Sequence, residues 1–225
     1  MTPNQITALR ILMAFLAVSL FGRTPAANLA AVFLTLATIS LDALDGWVAR
    51  RRGLATPLGA HLDILGDRII ENLFFTYFAV VGLISLWVPV FFFVRGTATD
   101  FLRGLAARSG RSGFGRDSMM QSPLGRALVT SRASRASYGV LKCACFIWLG
   151  LELWLSSTSG SHTLETRSIV LFLSASPYVV GLTVVFCLVR GLPVLCEGSR
   201  YLLAFEGHAP SVPSSVTSRP LNRAA

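Results

Sequence analysis

The sequence predicts an all-α integral membrane protein with six transmembrane helices and both termini in the cytoplasm. Three observations predict this fold class: the composition, the spacing of the apolar segments and the distribution of the arginines. Of the 225 residues, 53% are hydrophobic and only 14% are charged, and the mean hydropathy is +0.62. This composition excludes a disordered chain and indicates a lipid environment, with room for about six or seven spans of roughly 20 residues each.

Six long apolar segments are the candidate spans. They are 5–22, 28–50, 60–86, 88–107, 136–157 and 168–190. Clusters of Gly, Pro, Ser and Thr separate consecutive segments, as expected for connecting turns. We therefore predict a membrane domain over residues 1–206, followed by a disordered, Pro- and Ser-rich cytoplasmic tail over residues 207–225.

The basic residues are unevenly distributed between the two sides of the predicted topology. One side contains most of them: Arg50, Arg51, Arg52, Arg103, Arg108, Arg111, Arg116, Arg126, Arg132, Arg135, Arg190, Arg200, Arg219 and Arg223. The opposite loops hold only Arg23 and Arg167. By the positive-inside rule, the asymmetry places both termini and the loops 51–58 and 108–135 in the cytoplasm. Topology and contact with anionic membrane lipids explain most of the net charge of +9, so we expect no nucleic-acid partner.

The acidic residues cluster inside apolar segments. Five of the eleven fall within thirty residues: Asp42, Asp45, Asp63, Asp67 and Glu71. An aspartate near the centre of a transmembrane helix costs about 2.5–3.5 kcal/mol, so a compensating partner is required. The first two aspartates are three residues apart and the next two are four apart, so each pair lies on one face of its helix. Glu71 continues the second face, where it could orient a neighbouring group or form an internal ion pair.

A turn between the two helices is predicted by Gly53 and Pro57. The helices would then be antiparallel and bring the four aspartates together near the cytoplasmic face. Like charges that close cannot all ionise unless cations lie among them, and an all-oxygen site suits Mg²⁺ or Mn²⁺ better than zinc. The sequence therefore predicts one or two hard divalent cations.

Small and basic residues flank the carboxylates: Gly46, Ala49, Arg50 and Gly59. Small residues let a ligand approach the backbone closely. The guanidinium of Arg50 offers a fork of donors suited to a phosphate or diphosphate. The complete pattern reads D-x2-D-G-x2-A-R-x8-G-x3-D-x3-D.

This pattern resembles the defining motif of the CDP-alcohol phosphotransferases, and every fixed position is matched, including the eight-residue spacer. The segment Pro3-Asn4-x-Ile6-Thr7-x2-Arg10 is similar to the start of the first span in phosphatidylglycerophosphate-synthase-like members. The resemblance is specific over residues 3–105 and general over 106–205. It implies a membrane enzyme of phospholipid biosynthesis, active as a homodimer, that transfers the phosphatidyl group of CDP-diacylglycerol to a small alcohol and releases CMP.

The resemblance also implies a role for each residue of the motif. Asp42, Asp45 and Asp63 would hold two Mg²⁺ or Mn²⁺ ions. Asp67 would complete the second metal site and act as general base towards the acceptor hydroxyl. The positions that receive the CDP moiety match Gly46, Ala49, Arg50 and Gly59.

The acceptor alcohol is open at the sequence level. Basic residues flank the fourth and fifth spans: Arg95, Arg103, Arg126, Arg132, Arg135 and Lys142. Arg95 lies deepest in an apolar run, where a guanidinium needs a partner or an aqueous cavity. These residues could bind the phosphate of glycerol 3-phosphate or an inositol phosphate, or they could serve topology alone. Glycerophosphate-type members carry a lysine-rich G-K-x-K-T-like segment, whereas this chain reads GRALVT from Gly125 to Thr130.

Two other function classes remain as alternatives. An ion- or proton-coupled transporter could also place aspartates in helices, but it usually shows repeats or broken helices in both halves, and the acidic cluster occurs once. A non-catalytic membrane scaffold of the same fold would be expected to have lost a motif carboxylate, and none is missing. We therefore predict the enzyme, in a bacterial plasma membrane with its active site facing the cytoplasm.

Overall fold

The computed structural model describes residues 3–52, 56–108, 118–158 and 172–206. Within these ranges there are six helices of 18 residues or more and no β-strand. They are α1 (Pro3–Leu20), α2 (Pro25–Arg52), α3 (Pro57–Val80), α4 (Trp87–Arg108), α5 (Arg132–Thr158) and α6 (Ser176–Glu206). A helical turn, Pro123–Gly125, and a π-helical segment, Arg126–Thr130, precede α5. The all-α prediction is confirmed.

Local turn chemistry sets several helix limits. Thr56 caps α3, because its hydroxyl accepts a hydrogen bond from the backbone N–H of Gly59 at 3.0 Å, as an N-cap residue should. Gly22 and Gly82 follow α1 and α3 with φ of 78° and 81°. This left-handed conformation is accessible to glycine without steric cost, so the chain reverses at these two points.

Pairs of contacting residues show the relative directions of the helices. α1 and α3 are parallel, because Thr7 meets Gly66 near one end and Phe21 stacks on Tyr77 near the other. By the same criterion α5 is parallel to α3 and antiparallel to α2, and α6 is parallel to α4. The odd-numbered helices therefore begin, and the even-numbered helices end, at one end of the bundle, which we call the basal end.

Aromatic side chains of α3 fill the centre of the bundle. Phe74, Phe75 and Phe78 are fully buried, and the ring of Phe75 lies 4.3 Å from Phe92 of α4 and 4.8 Å from Phe146 of α5, centroid to centroid. Offset and edge-to-face pairs of this kind add favourable contact beyond area burial. By contrast, each of the six helices exposes large apolar side chains on its outer face, which suits a surface in contact with lipid.

Within the described ranges, three stretches are long and apolar enough to cross a bilayer: Pro25–Asp42, Ala133–Thr158 and Phe172–Leu202. The apolar stretch of α1, Asn4–Leu20, is shorter. These helices agree with the predicted membrane protein. The six-span topology, the cytoplasmic termini and the homodimer stay predictions.

The last helix is longer than the sequence predicts. The sixth span was expected to end at residue 190, but α6 continues to Glu206 through Pro193. Proline has no N–H to donate to the preceding turn, so contacts outside the helix must support this continuation. Val194 supplies one, since it is fully buried against Met119 and Met120. The predicted tail 207–225 lies outside the described residues, and the limits of the domain stay a prediction.

Candidate active site

Close packing of α1 on α3 brings the site together. A Cβ added to Gly66 would lie 2.8 Å from Cγ2 of Thr7, so glycine is needed for the two helices to approach this closely. Arg10 lies one turn beyond Thr7 on α1, and Asp67 is the neighbour of Gly66 on α3. The contact therefore carries an arginine of the first helix to the carboxylates of the third.

Among the side chains that the structure describes, three carboxylates converge on Arg10. Its Nη2 lies 2.5 Å from Oδ1 of Asp42 and 3.0 Å from Oδ1 of Asp67, and its Nη1 lies 3.2 Å from Oδ1 of Asp63. Carboxylate oxygens of the three aspartates lie within 4.8 Å of one another. The side chain of Arg10 is only 4% exposed, whereas the aspartates are 44–47% exposed. The arginine thus fills the inner side of a carboxylate cluster whose outer side is open.

The cluster fits a hard divalent cation. Carboxylate oxygens are the ligands that Mg²⁺ and Mn²⁺ prefer, and the guanidinium between these three shows that the cluster draws positive charge. Of the other motif residues, the side chains of Asp45, Gly46, Ala49 and Arg50 lie outside the described part of the chain, although the backbone of α2 passes through all four. Their predicted roles stay predictions.

Gly59 lies at the start of α3 beside the beginning of α1. A Cβ at this position would lie 3.0 Å from Oγ1 of Thr56 and 3.1 Å from Oδ1 of Asn4. The space that glycine leaves is thus partly taken by polar side chains of the protein itself. Its predicted contact with the CDP moiety stays a prediction.

An ion-pair network lies one turn further along α3. Arg68 donates from Nε and Nη2 to the carboxylate of Asp100 on α4, at 2.7 and 3.2 Å, and Arg103 donates to the same carboxylate at 3.3 Å. Glu71, with a side chain only 2% exposed, accepts from Arg68 at 3.3 Å and from Lys142 of α5 at 3.2 Å. Of the two roles that the sequence left open for Glu71, the structure shows the internal ion pair.

A cavity of about 310 Å³ opens beside Asp42 and Asp67. Its basic lining consists of Arg68, Arg95, Arg103, Arg135, Lys142 and Arg190. Glu71 is the third acidic residue in the lining, so cations outnumber carboxylates two to one among the described residues. Positive charge in excess on the walls of a cleft attracts anions, and guanidinium groups match phosphate in geometry.

Arg95 and Arg190 of the cavity are incompletely paired. Among the residues that the structure describes, no carboxylate lies within ion-pair distance of Arg95 or Arg190; Arg190 donates to the carbonyl oxygen of Ser134 at 2.8 Å. Both guanidinium groups lie over the ring of Tyr138, at 5.9 and 5.3 Å from its centroid, and both Nε atoms are buried without a hydrogen-bond partner. Unsatisfied buried donors are costly, so an anion in the cavity would supply acceptors that the protein lacks.

The structure separates the basic residues that the sequence grouped together. Four line the cavity: Arg95, Arg103, Arg135 and Lys142. Arg126 is exposed and donates from Nε to the carbonyl oxygen of Met120 at 3.0 Å. The side chain of Arg132 lies outside the described residues.

Sequence reasoning missed several residues of the site, among them Arg190 and Arg10. Arg190 was counted only among the basic residues of the cytoplasmic side, because the sixth span was expected to end there. In the structure α6 continues past Arg190, which is buried in the middle of the helix and lines the cavity. Arg10 was noted only as part of an N-terminal pattern. A lone arginine in an apolar helix is itself a sign of a functional site, and that signal could have identified it.

The fold and the site define a helical membrane protein in which a cluster of aspartates adjoins a cationic cavity. The chain belongs to the CDP-alcohol phosphatidyltransferase family, whose sequence model matches residues 1–185. This match confirms the resemblance seen in the motif. The family is generally dependent on divalent metal ions.

Two characterised relatives are similar over part of their length. The "Bifunctional IPC transferase and DIPP synthase" of Thermococcus kodakarensis is 27% identical, over 60% of this chain and 30% of the relative. The "CDP-diacylglycerol--glycerol-3-phosphate 3-phosphatidyltransferase" of Bacillus subtilis is 29% identical, over 48% of this chain and 63% of the relative. The chain thus spans less than two thirds of either relative.

Proposed function

We propose that this protein transfers the phosphatidyl group of CDP-diacylglycerol to a phosphorylated alcohol, such as glycerol 3-phosphate or an inositol phosphate, with release of CMP. The observation that carries the proposal is that Asp67, Arg95 and Arg190 line the same cavity. Family membership supports the CDP-alcohol donor. The name of the Bacillus relative, which contains glycerol 3-phosphate, supports a phosphorylated acceptor.

The motif residues divide into a metal site and a donor site. We assign two Mg²⁺ or Mn²⁺ ions to the four aspartates of the motif: Asp42, Asp45, Asp63 and Asp67. When bound, the ions neutralise the diphosphate of the donor and stabilise charge that develops on the transferred phosphoryl group. We assign the CDP moiety to the remaining motif positions: Gly46, Ala49, Arg50 and Gly59.

The cavity provides the groups for proton transfer and for positioning the acceptor. Arg95 and Arg190 hold the acceptor phosphate. The acceptor is thereby oriented with its hydroxyl facing Asp67. Asp67 takes the proton of the acceptor hydroxyl. The oxygen of that hydroxyl bonds to the phosphorus, and the bond between the phosphorus and the oxygen of the departing CMP breaks. The lipid product stays in the membrane.

The placement of the site supports a cytoplasmic active site. The aspartate cluster lies towards the basal end, where α1 and α3 begin and α2 ends in three consecutive arginines. By the positive-inside rule that end faces the cytoplasm, with six spans and both termini on that side. A donor with two acyl chains and a nucleotide head needs a groove open to lipid and to water, as this position offers. We keep the bacterial plasma membrane and the homodimer as parts of the proposal.

The proposal is tested by CMP release. Purified protein in lipid nanodiscs is supplied with CDP-diacylglycerol and Mg²⁺ or Mn²⁺, together with glycerol 3-phosphate, inositol phosphate, glycerol or inositol. We expect CMP only with a phosphorylated alcohol. Equal rates with glycerol or inositol would contradict the phosphate-binding cavity. No CMP with any alcohol and either metal would favour the transporter or the scaffold instead.

Variants of the aspartates test the roles of the individual carboxylates. Asp42→Asn and Asp63→Asn should abolish turnover because the metal is lost. Asp67→Asn should lose turnover but retain appreciable binding of the donor, since its main role is in the chemical step. Donor binding is measured by titration with CDP-diacylglycerol in nanodiscs. Wild-type turnover in all three variants would show that the site is elsewhere.

A further inference from the structure

Arg10 contacts the carboxylates that would hold a divalent ion. Its two terminal nitrogens contact all three described carboxylates of the cluster, at 2.5, 3.0 and 3.2 Å. A Mg²⁺ ion held through the same oxygens needs them at about 2.0–2.1 Å. Such an ion would displace the guanidinium from these oxygens, because two positive charges so close would repel each other.

We propose that Arg10 is the internal counterion of the metal-free site, and that Arg10 and the divalent ion replace each other on the same carboxylates. This inference rests on the metal site proposed above. Without any cation, three carboxylates within 4.8 Å of one another would repel and push α2 and α3 apart. Arg10 keeps them together and so holds the cluster ready for the ion.

The burial pattern provides a route for the exchange. Arg10 lies on the closed inner side of the cluster, at 4% exposure, whereas the aspartates are 44–47% exposed. An ion can therefore approach from the open side while the arginine withdraws. Because the contacts are made by the end of a long side chain, a change of side-chain torsions can break them without moving α1.

The exchange also affects Asp67. In the structure Nη2 of Arg10 donates to Oδ1 of Asp67 at 3.0 Å. The exchange therefore replaces this hydrogen bond by the ion at a residue that lines the acceptor cavity. Arg10 is thus a positioning residue, which sets the metal affinity.

Metal binding tests the competition directly. Mn²⁺ is titrated calorimetrically into the full-length protein in nanodiscs, without substrates, for wild type, Arg10→Gln and Arg23→Gln. Arg23 is an exposed arginine in the turn after α1, at the end opposite to the basal end, so its variant removes the same charge away from the site. Arg10→Gln should bind Mn²⁺ at least about tenfold more tightly than wild type, or about 1.4 kcal/mol. Arg23→Gln should bind as wild type does.

Thermal unfolding provides a second readout. In chelator the Tm of Arg10→Gln should fall by several degrees, and Mn²⁺ should restore it to within a degree or two of the wild-type value. The Mn²⁺-induced rise in Tm should therefore be larger in the variant. If Arg10→Gln does not fold without metal, it is purified in Mn²⁺ and its loss of structure on chelation is followed. Arg10→Lys, which keeps the charge without the fork of donors, should behave between the two.

The outcomes separate the exchange from the metal site itself. Unchanged or weaker Mn²⁺ binding in Arg10→Gln would overturn the exchange, and so would a loss of Tm that is equal with and without Mn²⁺. Either result would make Arg10 a purely structural residue or an orienting one. Absence of Mn²⁺ binding in wild type and variant alike would contradict the proposed metal site, and the exchange with it.

Discussion

The contact between Arg95 and Gly191 allows the acceptor site to be perturbed without changing its charge. A Cβ at Gly191 of α6 would lie 2.6 Å from Nε of Arg95, 3.3 Å from its Cγ and 3.4 Å from its Cζ. Ordinary contact between nonbonded heavy atoms begins at about 3.5 Å, so in Gly191→Ala the arginine must retreat by about 1 Å. The displaced atoms belong to a long side chain whose torsions can adjust, so the fold should survive.

The magnitude follows from hydrogen-bond geometry. A retreat of about 1 Å takes a hydrogen bond between guanidinium and phosphate beyond its working range. A hydrogen bond to a charged group contributes about 1.5–3 kcal/mol, and about 1.4 kcal/mol corresponds to a factor of ten. We therefore expect Gly191→Ala to raise the KM for a phosphorylated acceptor by about tenfold or more, with little change in the KM for CDP-diacylglycerol.

The assay is CMP release in nanodiscs, with each substrate titrated while the other is saturating. Gly181→Ala is the matched control, because it lies on the same helix and its Cβ would meet nothing within 4 Å. Arg95→Gln should raise the same KM, and the double variant with Gly191→Ala should be no worse than Arg95→Gln alone, since both changes remove one contact. A normal acceptor KM in a stably folded Gly191→Ala would refute the assignment of Arg95.

Three further predictions concern packing and topology. Gly66→Ala should separate α1 from α3 and lower both Tm and turnover. The control Gly104→Ala, whose Cβ would meet nothing within 4 Å, should leave both unchanged. Equal effects of the two variants would contradict the close helix contact. Asp100→Asn should reduce the free energy of unfolding by about 1.5–3 kcal/mol because two arginines share its carboxylate, and an unchanged melting curve would argue against this network. In a cysteine-free background, cysteines introduced at Ser112 and Ser159 should label from opposite faces of the membrane; labelling from one face would contradict six spans.

Local sequence was sufficient for the helices. The apolar segments predicted the ends of α1 to α5 to within six residues, because hydropathy and turn residues act over short distances along the chain. The one large error was α6, which extends sixteen residues beyond its predicted end. Its extension depends on buried contacts of Val194 with residues more than sixty positions away, and no local pattern records such contacts.

The aspartate cluster was likewise predictable from spacing. The helical repeat places Asp63 and Asp67 on one face, and antiparallel helices bring Asp42 beside them, so three of the four predicted carboxylates meet in the structure; the side chain of Asp45 lies outside the described residues. The sequence could not show which cation meets them. That depends on how closely α1 approaches α3. The approach is close because Gly66 has no side chain, and Thr7 packs directly against it in the folded protein.

The sequence by itself therefore determined the membrane-helical class, the family and the carboxylates of the site, because periodicity and motif spacing are properties of one chain segment. Only the tertiary structure decided that Arg10 lies among those carboxylates and that Arg95 and Arg190 share one cavity with Asp67. The physical reason is that these residues come from different helices. Their meeting depends on interhelical packing, above all on the glycines that let side chains and helices pass within van der Waals distance.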